Sequence, residues 1–145
     1  MTRVLLAKDV DRDAIDAAAR AHGWPLLNVF RRTEARPRQI VFGSAEWILT
    51  FIEDHRIDAR YAVIEGHDED TLAEAIRASL TTLDLDDVLA MLATERVRAL
   101  CWLGVIGPAT PTEPVASLLA AAAASEDRAE RDAASFAYQA LGWPT

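Results

Sequence analysis

The sequence predicts an α+β protein with a sheet-bearing front half and a wholly helical back half. Three observations point there. Short apolar runs of strand length recur before residue 67, at 4–7, 26–30, 38–42 and 61–64, separated by Gly, Pro and polar stretches. From residue 82 on, the apolar residues fall at helical spacing and Ala becomes frequent. The chain has 145 residues, of which 51% are hydrophobic, so it can fill a core without covalent staples.

The elements follow in order. Val4-Leu5-Leu6-Ala7 reads as a buried strand. Asp9 or Asp11 caps a helix with Ile15, Ala18, Ala19 and His22 on one face, and Gly23 followed by Trp24-Pro25 stops it. Residues 26–30 and 38–42 read as a hairpin whose long tip carries Arg31, Arg32 and Arg36. Residues 44–55 are ambiguous. Trp47, Ile48, Phe51, Ile52 and His55 share one face of a helix that Ser44 would cap. The same residues are good strand formers. The flanking strand-length runs favour a helix here, because a strand–helix–strand unit absorbs all three segments. A strand would instead turn the lobe into an antiparallel meander. Residues 61–64 return as a strand, and Asp68 or Asp70 caps a helix with Leu72, Ile76 and Leu80 at intervals of four. With the helix at 44–55, the order is the βαββαβ of the ferredoxin-like plait, both helices on one face of the sheet.

The helical part starts with an Asp84-capped helix holding Val88, Leu89, Met91 and Leu92. An apolar helix containing Cys101 and Trp102 follows, then a proline-rich loop, an Ala-rich helix at 115–124 and a last helix at 128–141. Two domains are expected: an α+β lobe at 1–81, and a helical subdomain at 82–145 packed on it. Val88-Leu89-Ala90-Met91-Leu92, Val97-Arg98 and Leu103-Gly104-Val105-Ile106-Gly107 form one pattern. Leu118-Leu119, Glu126-Asp127, Ala133-Ala134 and Ala140-Leu141-Gly142 form a second. Each resembles a HEAT-type helical hairpin, in which a Leu-rich helix meets a second helix ending in Leu-Gly. The resemblance covers residues 84–143 and implies two stacked HEAT-like units.

Charge carries the functional reading. The formal net charge is −8, and residues 65–87 hold eight Asp/Glu against one Arg. Those carboxylates are Glu65, Asp68, Glu69, Asp70, Glu74, Asp84, Asp86 and Asp87. Such a surface repels nucleic-acid phosphates and attracts a basic protein. In size, charge and shape the chain is similar to bacterial immunity and antitoxin-type inhibitors. That similarity implies a non-catalytic protein-binding module whose acidic residues cover a basic partner. Trp143, near the end, is a further candidate partner anchor.

No catalytic residue, cofactor or metal set is expected. His67-Asp68-Glu69-Asp70 is merely consecutive, and Asp84, Asp86 and Asp87 lack the later ligands of a calcium loop. An alternative reading places a small enzyme or ligand site near Lys8, Asp9 and His67; another makes the Ala-rich helix at 115–124 a homodimer contact. His55 reads as a core or edge histidine, Cys101 as a small core residue, and the arginines at 31–38 as a solvated tip. No run reaches the ~18 apolar residues of a membrane span, and the apolar run at the N-terminus is too short for a signal peptide. A single cysteine fits a reducing, cytoplasmic setting.

Overall fold

The computed structural model describes residues 1–144. It is α+β, with one six-stranded antiparallel sheet and six helices. It divides into two compact units, Met1–Leu83 and a helical unit from Asp84 onward.

The first unit is β1 (Thr2–Leu6), α1 (Arg12–His22), β2 (Leu26–Phe30), β3 (Arg38–Gly43), β4 (Trp47–Asp54), β5 (Ala59–Gly66), α2 (Glu69–Ser79) and β6 (Thr82–Leu83). The sheet order is β2-β3-β4-β5-β1-β6. Four strands thus form a meander, and β1 closes it by pairing with β5 and β6. Thr82 and Leu83 pair with Leu6 and Leu5, so the sheet unit runs past residue 81.

The expected helix at 44–55 is a strand, and the βαββαβ plait does not form. Leu49 and Phe51 are buried among the helix-facing core, while Ile48, Thr50 and Ile52 stay half-buried on the opposite face. A strand apolar on both faces loses the alternation that distinguishes it from a helix, which is why the spacing misleads. Its neighbours decide the matter: β4 pairs along its length with β5 and through Gly43↔Ile48 to Arg38↔Glu53 with β3. Ser44 accepts a hydrogen bond from Glu46 N–H (3.2 Å) and donates its own N–H to Trp47 O (3.0 Å), which builds the β3–β4 turn rather than a helix cap.

Cross-strand neighbours Ile40, Phe51, Ala62 and Val4 line one row of the core. Both helices cover this face, α1 with Ile15, Ala18 and Ala19 and α2 with Leu72, Ala73 and Ile76. Ile15, Leu72 and Ile76 each contribute about 1.5–3 kcal/mol on burial. Trp24 packs on Phe42 and Phe51, whose own rings meet edge-on at 5.8 Å. Asp11 caps α1 through Ala14 N–H, and Gly23 ends it in the left-handed region.

The second unit holds α3 (Leu85–Met91), α4 (Arg96–Ile106), α5 (Val115–Ala123) and α6 (Arg128–Leu141). α4 is buried on most of its surface and lies against α6, which also packs on α5, while α3 packs on α4. Gly104 lets the α4 and α6 backbones approach: a Cβ there would meet Ala137 Cα at 2.9 Å. Arg96 pairs with Glu130, tying the start of α4 to α6.

Candidate functional site

The candidate carboxylates of the first unit, Glu65, Asp68, Glu69, Asp70 and Glu74, lie where β5 ends and along α2. Gly66, at φ 108, turns the chain out of β5, and His67 N–H bonds Glu46 O at 2.9 Å. Asp68 then opens α2 in a left-handed conformation without capping it through its side chain. Its carboxylate is therefore left free by the helix. Glu65, Asp68 and Asp70 are exposed and have no ion-pair partner among the described residues. Glu69 differs. It accepts from Thr2 Oγ1 (2.9 Å) and pairs with the chain's amino terminus (2.9 Å), and those two hydrogen bonds hold its pKa below the ordinary value. Glu74 faces Arg77 at 3.4 Å. An open depression of about 570 Å³, lined by Met1, Thr2, Asp68, Glu69, Asp70 and Thr71, lies at this corner.

In the second unit, Asp84 and Asp87 are engaged with each other's backbone. Asp87 N–H donates to Asp84 Oδ1 (2.8 Å) and Asp84 N–H to Asp87 Oδ2 (2.9 Å), a reciprocal cap at the start of α3. Of the three aspartates there, Asp86 alone is exposed without a cap bond or ion pair among the described residues.

Trp143 is not a surface anchor. It is 5% exposed, its ring lies 6.3 Å from Tyr138, and its Nε1–H donates to Pro108 O at 3.0 Å. Gly142 in the left-handed region reverses the chain after α6, and this folds the Trp back onto its own unit.

Lys8, Asp9 and His67 do not converge. Lys8 pairs with Asp58 (3.2 Å), which precedes β5, whereas His67 follows the other end of that eight-residue strand. A strand of this length separates them by roughly 25 Å. Asp9 sits exposed in the turn before α1 and does not cap it. His55 is half-buried, with Nε2 3.4 Å from Glu34 O. Among the described residues, no group of His, Cys, Asp or Glu has metal-binding geometry.

One buried polar cluster was invisible in the sequence. Asp54 is 1% exposed and accepts from Arg56 Nε (2.9 Å), Arg56 Nη2 (2.8 Å), Arg56 N–H (3.2 Å) and Tyr61 OH (3.0 Å). Burial alone would raise the Asp54 pKa, but the bonds from Arg56 and Tyr61 outweigh it and hold the carboxyl below its ordinary range. Burial, then the Asp54 charge, pushes the Tyr61 phenol well above its usual range. This trio braces the β4–β5 hairpin and leaves Asp54 with no spare proton chemistry at neutral pH.

Comparison with protein-family models, with curated proteins and with solved structures gives no match. Among the described residues, no helix is long and apolar enough to cross a membrane.

Proposed function

We propose that this chain is a non-catalytic protein-binding module of the immunity or antitoxin type, covering a basic surface of another protein with the carboxylates beside the start of α2. The observation that carries this reading is the free state of Glu65, Asp68 and Asp70: exposed, close in sequence, and matched by no cation among the described residues. Uncompensated like charge destabilises the fold that holds it, and a complementary surface relieves that repulsion and speeds encounter. Asp86 of the second unit is likewise exposed and has no cap bond or ion pair among the described residues. Within that unit the pairs α3–α4 and α5–α6 are read as two HEAT-like hairpins. A cytoplasmic setting fits a chain with one cysteine, Cys101.

The test is co-expression with the product of the adjacent gene. The wild type is expected to co-purify with it and protect growth. A variant carrying Glu65→Gln, Asp68→Asn, Asp70→Asn and Asp86→Asn is expected to lose both, with unchanged circular dichroism. Asn tolerates the left-handed backbone at position 68, so the fold survives the change. Unimpaired co-purification of the variant removes these carboxylates from the interface.

A further inference from the structure

The strand β2 is the first in the sheet order, so one of its sides has no neighbouring strand among the described residues. All five of its residues are exposed: Leu26 is 54%, Leu27 52%, Val29 38% and Phe30 49% accessible, on both faces of the sheet. Proteins usually blunt such an edge, because its free N–H and C=O groups accept another strand. Here the blunting is slight. A bulge lies between Leu26 and Asn28, and Val29 N–H is taken by the Asn28 side chain at 2.8 Å. The alternation of the β2–β3 ladder directs that N–H away from β3, so Asn28 masks an outward donor.

Immediately beyond Phe30, the β2–β3 loop carries Arg31, Arg32 and Arg36, all exposed and with no ion-pair partner among the described residues. A cleft of about 320 Å³ lined by Phe30, Arg31, Thr33, Arg36, Pro37 and Gln39 continues the strand's end into this loop. The free edge, the apolar side chains and the unmatched guanidinium groups lie in line along one stretch of chain.

We infer that β2 is a docking edge for an extended segment of another protein, apolar along its length and acidic at the end that meets Arg31, Arg32 and Arg36. Backbone bonds to the edge supply affinity, and the arginines set direction: an antiparallel segment places its N-terminal carboxylates beside the loop. Charge decides among the occupants. A second copy paired antiparallel through β2 brings the 22–26 stretch beside the arginines, and that stretch holds no carboxylate. A nucleic acid would find one exposed ring, Phe30, among the aliphatic Leu26, Leu27 and Val29, which is too little for a run of stacked bases, on a chain of net charge −8. This surface is opposite in sign to the one at the start of α2 and stands independently of it.

The probe is a labelled synthetic peptide of three glutamates followed by five alternating valines and threonines, with a three-lysine peptide as control, read by fluorescence polarisation. The glutamate peptide is expected to bind the full chain and the lysine peptide to bind at least about tenfold more weakly. Val29→Pro removes the outward donor and leaves the β3 ladder intact, so binding falls about tenfold with the sheet's circular dichroism unchanged. Asn28→Val unmasks the donor and strengthens binding about fivefold, the worth of one released hydrogen bond. Arg31→Glu with Arg32→Glu inverts the preference between the peptides. Equal affinity of wild type, Val29→Pro and Asn28→Val for the glutamate peptide overturns the proposal. So does a wild-type dimer in light scattering that Val29→Pro dissolves, or polyuridylate binding tighter than the peptide and indifferent to Val29→Pro.

Discussion

At the residue scale, Asp54 holds the strongest expectation. Its folded pKa lies below the ordinary value of 3.8, so the stability it contributes is fully present above that pH and is lost as pH falls through the lower, folded value. Tyr61 behaves in the opposite sense. Its phenol is raised above 10.0, so its contribution is complete below pH 10 and disappears as the solution becomes more alkaline. Urea unfolding should therefore show a plateau between these limits and a fall on either side. Tyr61→Phe is expected to cost about 1 kcal/mol at pH 7 and to flatten the alkaline limb. Asp54→Ala is expected to cost about 2 kcal/mol and to flatten the acid limb. None of this was legible in the sequence. The helix reading put Asp54 in a last turn, whereas Arg56 and Tyr61 reach it only because the chain doubles back as a hairpin.

The elements differ in how plainly their residues announced them. α1 and α6 were readable because each carries its own boundaries: Asp11 and Gly23 for one, Asp127 and Gly142 for the other. β4 was not, since local spacing cannot show the two neighbouring strands that pair along both its edges. The free carboxylates of Glu65, Asp68 and Asp70 were legible as composition, but the engagement of Glu69, Asp84 and Asp87 depends on partners the spacing only partly reveals. β2 was recognised as a strand, yet its exposure follows from its place at the end of the sheet. Two glycines test the geometry of the elements. Gly66 and Gly23 both have positive φ, but a Cβ at Gly66 would press on Glu46 O and lie 2.9 Å from Trp47 Cα, while Gly23 has open space. Gly23→Ala is expected to cost about 1 kcal/mol and Gly66→Ala clearly more, about 2–4 kcal/mol, in chemical denaturation.

For the molecule as a whole, charge and exposed apolar surface act against each other. The sequence pI is about 4.8, so near that pH the mutual repulsion between copies vanishes while β2 keeps its bare side chains. Turbidity of the purified chain is expected to peak near pH 5, and Leu27→Lys is expected to lower that peak without moving the unfolding midpoint by more than a few degrees. A shift of the peak alone, with its height unchanged, would mean that β2 plays no part in the association.

The order of the strands also bears on synthesis. β1 is made well before its partners, which are residues 60–64 of β5 and, later, Thr82 and Leu83. While the ribosome is still producing the meander, β1 waits for its partner strand, its Val4, Leu5 and Leu6 open to chaperones. The local pairing of β2 with β3 can therefore form before β1 finds β5, and the sheet is complete only once β6 has been made.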